Sequence, residues 1–160
     1  PAYRASPTPK VPGTDGQKMS KSYGNTITIF AEGKDLKKQV NAIVTDSRPP
    51  EETKEAAGLA VYEILSLFLS DDEKVSWTKR LADGGVGYGD LKKEIMAKMD
   101  ARFGEARTRY AHLMTTPEGE AELEVILNKG AATARAVAET TLARCYDAVG
   151  MDNAARRLRS

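Results

Sequence analysis

From about residue 34 to residue 149 the apolar positions of this chain recur with a helical period, and before that they follow no steady period. Leu36, Val40, Ile43 and Val44 stand four, three and one apart, which places them on one face of a helix that begins at Lys34 and stops before Asp46. Pro49-Pro50 makes resumption impossible there, because each proline drives the residue before it out of the α region. A second helix is predicted from Glu52 to Leu69, with Leu59, Tyr62, Leu65 and Leu69 facing inward. Ser70-Asp71-Asp72-Glu73 has the spacing of a capping box, so a third helix starts there. Its stripe is Val75, Thr78, Leu81 and Ala82, which leaves Trp77 off the inward face, and Gly84, Gly85 and Gly87 end it. The fourth helix spans Tyr88 to Met114, with Leu91, Ile95, Met99, Phe103, Ala106, Tyr110 and Leu113 alternately three and four apart. Pro117, at a first-turn position behind a Thr115/Glu118 capping box, opens a fifth helix that reaches Val149 and stops at Gly150. That helix carries Leu123, Ile126, Leu127, Ala134, Val137, Ala138, Thr141, Leu142 and Cys145 on one side, with a bend expected at Asn128-Lys129-Gly130.

The first 25 residues are of another kind. Pro1, Pro7, Pro9, Pro12, Gly13, Gly16 and Gly24 forbid a continuous helix and make this a loop. In Asn25 to Phe30 (NTITIF), Ile27 and Ile29 alternate with polar neighbours, which predicts a short extended segment. The chain is therefore expected to be mostly α, a helical bundle of about five helices behind a Gly/Pro-rich loop. The boundaries are a loop domain at 1–30, a helical domain at 31–150 and a basic tail at 151–160.

Composition narrows the class. The 160 residues hold 41% hydrophobic and 29% charged side chains, the proportions of a globular domain. With 24 Lys+Arg against 23 Asp+Glu the chain is no supercharged nucleic-acid binder, although a local basic patch is compatible with that balance. One cysteine, Cys145, and one histidine, His112, rule out a disulfide scaffold and a Cys/His zinc site, so no protein metal site is expected. The longest apolar stretch, Gly58 to Leu69, is interrupted by Glu63 and is too short for about 30 Å of hydrocarbon. The opening residues PAYRASPTPK lack the apolar core of a signal peptide. The expectation is a soluble, cytoplasmic protein. Because the chain starts at Pro1, it also reads as a carboxy-terminal piece of something longer.

Chemistry is concentrated between Gly13 and Ile27. Within five residues stand two ammonium groups, Lys18 and Lys21, and two hydroxyls, Ser20 and Ser22, flanked by Gly13, Gly16 and Gly24. Lysines are mobile point charges for phosphate, hydroxyls and backbone N–H groups add donors, and glycines let the backbone approach a ligand. A polyphosphate is the chemistry this cluster suits. It is not a P-loop, which would need glycine at Gln17 and Ser or Thr at Met19.

Lys18-Met19-Ser20-Lys21-Ser22 resembles, letter for letter, the KMSKS signature of class I aminoacyl-tRNA synthetases. Its wider context, GTDGQKMSKSYGNTI with Val44-Thr45-Asp46-Ser47 further on, is most similar to the bacterial tryptophanyl-tRNA synthetase family, and so is LNKGAATARAVAETTLARCYDAVG. The resemblance covers about Val11 to Met151. It implies the carboxy-terminal part of a tryptophan–tRNA ligase: the signature loop, then a helical anticodon-binding domain. It implies ATP with Mg²⁺ as its substrate complex, tryptophan and tRNA (tRNA-Trp) as partners, and a homodimeric parent. Lys18 and Lys21 would be the catalytic pair, neutralising charge on the pyrophosphate leaving group. Ser20 and Ser22 would donate to phosphate oxygens, Met19 would anchor the loop, and a backbone group near Val11 would face adenine. The HIGH-like element of such enzymes is missing and His112 has no such context, so this chain alone is expected to be inactive. Two other readings remain: another class I synthetase, and a stand-alone helical tRNA-binding module that kept the loop without catalysis.

The remaining side chains read as structure. Lys92, Lys93, Lys98, Arg102, Arg107 and Arg109 interleave with Asp90, Glu94, Asp100 and Glu105 as a solvated, salt-bridged face. Cys145, Met96, Met99 and Met114 read as core, and His112 as an ordinary helix residue. Arg156, Arg157 and Arg159 of the tail would steer RNA electrostatically if they act at all.

Overall fold

In the computed structural model, which describes residues 10–151, these residues form five α-helices, of which the third and fifth begin at a side-chain cap and the third ends at glycine. They are α1 (Gly33–Asn41), α2 (Ala60–Ser66), α3 (Asp71–Asp83), α4 (Tyr88–Thr115) and α5 (Pro117–Ala148), with a single 3₁₀ turn at Lys21–Tyr23. The described residues are mostly helical and form no strand. Asn25–Phe30 is not extended into a ladder, and the one β-bridge is an isolated antiparallel pair, Pro12 with Lys18. The tail from residue 152 onward, with its arginines, lies outside the described residues.

The chain divides into two compact units after Arg107. The first holds the apolar core: Leu36 and Val40 of α1, Ile43 just beyond it, Leu59, Val61, Ile64, Leu65 and Leu69 around α2, Trp77 and Leu81 of α3, Val86, and Leu91, Ile95 and Met99 of α4. Three expected helical stripes are corrected here. α1 ends at Asn41, and the chain continues in a non-helical course that turns Ile43 inward (1% exposed) and Val44 outward (61%). α2 is shorter than Glu52–Leu69 because Gly58 takes a left-handed φ of 76° and the backbone N–H of Lys54 bonds outward to the Leu81 carbonyl at 2.8 Å. In α3 the inward row is Trp77 and Leu81, four apart, while Val75 is 70% exposed and Thr78 and Ala82 face solvent. Burying the indole outweighs burying the smaller Val75, and the Arg80 guanidinium covers its ring at 4.1 Å.

The α3 start follows the predicted capping box. Ser70 Oγ accepts from Glu73 N–H at 3.3 Å and Glu73 Oε2 accepts from Ser70 N–H at 2.8 Å. In α4 the inward row runs in steps of four, Leu91, Ile95, Met99 and half-buried Phe103, so the next position is Arg107 (4% exposed) rather than Ala106. Arg107 is therefore not part of a solvated face.

The second unit contains the end of α4 and all of α5. The cap is Thr116, not Thr115: its Oγ1 accepts from Gly119 N–H at 3.0 Å and donates to the His112 carbonyl at 2.8 Å. Arg109 and Glu122 form a two-point ion pair, one arm at 2.8 Å, and His112 Nε2 lies 3.6 Å from the same carboxylate. α5 is unbroken through Asn128-Lys129-Gly130. Its stripe stays on the surface: Ile126, Leu127, Val137 and Leu142 are about half exposed or more, Cys145 is exposed, and Gly119 is the only buried residue of the helix. Met114, at 56% exposed, is likewise not core.

Candidate functional site

The loop that carries Lys18 to Ser22 is held almost entirely by hydrogen bonds, since its residues are too polar to bury a core. Val11 and Met19 meet where Met19 N–H donates to the Val11 carbonyl at 2.9 Å, beside the Pro12–Lys18 bridge. Between them Gly13 N–H bonds the Gln17 carbonyl at 2.6 Å and Gly16 N–H bonds the Gly13 carbonyl at 3.0 Å, closing a tight turn in which Gly16 takes a φ of 77°. After the signature, Lys21–Tyr23 makes its 3₁₀ turn and Gly24, at φ 66°, ends it.

Asn25 lies inside this loop, 3% exposed. Its Oδ1 accepts from Ser20 N–H at 2.8 Å, and its Nδ2 donates to Asp15 Oδ1 at 2.7 Å and to the Lys18 carbonyl at 3.2 Å. Its own carbonyl accepts from Thr14 N–H at 2.9 Å. Donation from Asn25, before any other cause, holds the Asp15 carboxyl below its usual range, and Gln17 N–H at 2.9 Å adds to it. Sequence reading passed over Asn25 as the start of a strand. The signal it offered was only the Gly-Asn that follows the signature after Tyr23.

Every residue singled out for phosphate chemistry falls on this one loop. Lys18, Lys21 and Ser22 are exposed, Met19 and Ser20 half-buried, and the two hydroxyls lie 2.8 Å apart. Among the described residues neither Lys18 nor Lys21 is paired with a carboxylate. Two ammonium groups beside two hydroxyls and a tight backbone have the chemistry that suits an anion. Val11 is at the edge of the loop, 37% exposed, with its carbonyl already committed to Met19.

The loop is fixed to the helices at two points. Val44 N–H donates to the Thr14 carbonyl at 2.7 Å, and the segment carrying Val44 is held in turn by Lys92 of α4, whose ammonium donates to the Asn41 and Ile43 carbonyls at 2.9 and 2.8 Å. Burial pushes the Lys92 pKa down. On the exit side, Arg107 Nε donates to the Ile29 carbonyl at 2.8 Å while Nη1 bonds Asp100 at 2.5 Å. An open cleft of about 480 Å³ runs beside the loop, lined by Asp15, Gly16, Val44, Asp46, Arg48 and Leu59 among others. In it Asp46 is bonded by Arg48 Nε at 2.7 Å and by the Tyr88 hydroxyl, and the guanidinium first, then the phenol, holds the Asp46 carboxyl far below the usual range. The Tyr88 hydroxyl is raised, by burial and then by that carboxylate.

Comparison with known proteins bears on the same segment. The family described as tRNA synthetases class I (W and Y) matches residues 5–104, more than half of the chain and all of the loop. The chain belongs to that family. The tryptophan–tRNA ligase of Xanthomonas axonopodis pv. citri is 42% identical over 142 residues, 88% of this chain and 32% of that protein. The corresponding protein of Campylobacter jejuni (strain RM1221) is 40% identical over 141 residues, 88% of this chain and 43% of that one. A crystal structure of tryptophanyl-tRNA synthetase from Campylobacter jejuni, complexed with ADP and tryptophan, superposes with a TM-score of 0.80 over 88% of this chain and 43% of that chain, at 40% identity. The chain thus spans a third to less than half of the relatives it matches, and the class I resemblance read from Lys18–Ser22 is confirmed at the level of the family.

Proposed function

We propose that this chain is the carboxy-terminal share of a tryptophan–tRNA ligase, and that its loop binds ATP during activation of tryptophan. One observation carries the reading: Lys18 and Lys21, the two lysines of the signature, are exposed and without a carboxylate partner among the described residues, on a loop whose backbone is fixed by hydrogen bonds. Similarity to proteins named for that activity, and to a structure holding ADP and tryptophan, supports it.

In the reaction, the amino-acid carboxylate attacks the α-phosphorus of ATP and pyrophosphate leaves. Charge builds on the leaving oxygens, and Lys18 and Lys21 lie on the segment suited to neutralise it, with Ser20 and Ser22 donating to phosphate oxygens and Met19 seating the loop. Such fixed charge is worth more in the transition state than in the ground state, because it needs no reorganisation as the bond breaks. Magnesium would arrive with the triphosphate; among the described residues no cluster of three His, Cys, Asp or Glu is placed to hold a metal. The Val11 backbone at the loop edge is the part proposed to face adenine. The helices beyond residue 31 are proposed to form the anticodon-binding domain for tRNA-Trp, in a homodimeric, cytoplasmic enzyme.

The test is amino-acid-dependent ATP–pyrophosphate exchange by the longer protein that carries this chain, across all twenty amino acids. Exchange with tryptophan is expected, with Lys18→Ala and Lys21→Ala each lowering it by roughly 10²–10³ and this 160-residue chain giving none. Exchange with another amino acid would make it a different class I synthetase, and silence would favour the tRNA-binding module.

A further inference from the structure

We infer that Asn25 is a positioning residue for the phosphate-binding loop: its buried amide fixes the backbone on both sides of Met19, and so sets where Lys18 and Ser20 stand relative to each other. The inference rests on the reading of the loop given above and adds a residue to it.

A primary amide offers one carbonyl acceptor and two N–H donors, and a buried one must use them. Asn25 uses both ends on the loop itself. The carbonyl takes Ser20 N–H at 2.8 Å, and the NH₂ group gives to the Lys18 carbonyl at 3.2 Å and to Asp15 Oδ1 at 2.7 Å. The first two partners are the peptide groups on either side of Met19, so a single planar side chain clamps the arc that carries the first lysine and first serine of the signature. The third reaches the opposite wall of the turn. Gly13 shows how close the packing is: a Cβ there would lie 2.3 Å from Asn25 Nδ2 and 2.4 Å from its Cγ, so the backbone at 13 lies flat against the amide.

No other side chain fits this role. Aspartate accepts at Ser20 but has nothing to donate and would face the Asp15 carboxylate. Glutamine is a methylene longer in a space that already excludes a Cβ from residue 13. The lysine side chains start from this backbone, so its order sets where their charges stand. A site misplaced by about 1 Å loses on the order of 10²-fold in rate.

The experiment is ATP–pyrophosphate exchange by the longer protein, measured well below its melting temperature with kcat and KM separated. Asn25→Ala is expected to lower kcat by roughly 10- to 100-fold, with KM for tryptophan unmoved, since these bonds run only among Asp15, Lys18, Ser20 and Asn25. Asn25→Asp is expected to fall as far. Asn25→Asp combined with Asp15→Asn rebuilds the bond across the turn but leaves the Lys18 carbonyl facing an acceptor, so it is expected to stay about as impaired as Asn25→Asp. Unchanged kcat in Asn25→Ala, in a protein where Lys18→Ala is impaired, overturns the inference and leaves the loop reading standing. So does a double variant that regains the activity of the unaltered protein, since the Lys18 bond would then be dispensable. An unaltered protein with no exchange for any amino acid overturns the loop reading, and the inference falls with it.

Discussion

Lys54 is a charged residue that behaves as a structural one. It is 3% exposed, and its ammonium donates to the carbonyls of Pro49, Pro50 and Glu52 at 2.8, 3.3 and 2.9 Å, with the Tyr88 ring 5.3 Å away. The tandem prolines leave those carbonyls outside any helix, and the lysine collects them. Lys54→Met keeps the stem and takes this donor from the Glu52 carbonyl, while Pro49 and Pro50 still accept from Glu52 and Gly85 N–H, so a loss of about 1–2 kcal/mol is expected in urea unfolding. Glu73 gives a pH dependence. Lys98 first, then the Ser70 backbone N–H, hold its pKa at about 2 against an ordinary 4.5. The unfolded chain therefore binds the proton more readily than the folded one, and the stabilisation from Glu73 is complete above pH 4.5 and lost as pH falls toward 2. Melting temperature followed over that range should drop in the unaltered protein and drop less in Glu73→Gln. Lys18–Ser22 were legible as a family signature because that needs only identity and spacing. The burial of Asn25, Lys54 and Arg107 was not, because a polar residue in a sequence does not say whether it will be buried.

At the scale of elements, what was legible was local. The Ser70 box depends on atoms three residues apart, so its residues suffice to predict it, and Ser70→Ala should cost about 1 kcal/mol by chemical denaturation. The α4–α5 corner shows the limit. A Thr-Thr-Pro-Glu run permits a cap at either threonine, and the structure chooses Thr116 because its hydroxyl reaches the His112 carbonyl and the Gly119 N–H together. Gly119 is needed there, since a Cβ would fall 2.0 Å from the His112 oxygen. Gly119→Ala is expected to lower stability by about 1–3 kcal/mol, as overpacking against an immovable backbone does. The length of α2 was misread because its start is set by Gly58 and by a bond from Lys54 N–H to α3, neither of which leaves a periodic trace. The α3 stripe was misread because two faces are nearly equal in apolar content, and tertiary packing took the one with Trp77.

Over the whole molecule the two units differ in how much they bury. The first encloses a continuous core from Leu36 to Met99, and α5 of the second buries only Gly119. Amide hydrogen exchange should accordingly show strong protection at Leu91–Met99 and weak protection along Val125–Leu142, because opening a helix that buries little costs little. Equal protection in both would contradict the division. No helix among the described residues is long and apolar enough to cross a membrane. The sequence by itself determined the helical class, the Ser70 cap, the break at Pro49-Pro50 and the family signature at Lys18–Ser22, since each depends on neighbours within a few residues. Tertiary structure alone decided which row of α3 and α4 turns inward, that Lys54 and Arg107 are buried, and that Asn25 closes the loop. Those outcomes depend on partners brought together from distant positions, where burial and hydrogen bonding are settled by the whole set of contacts.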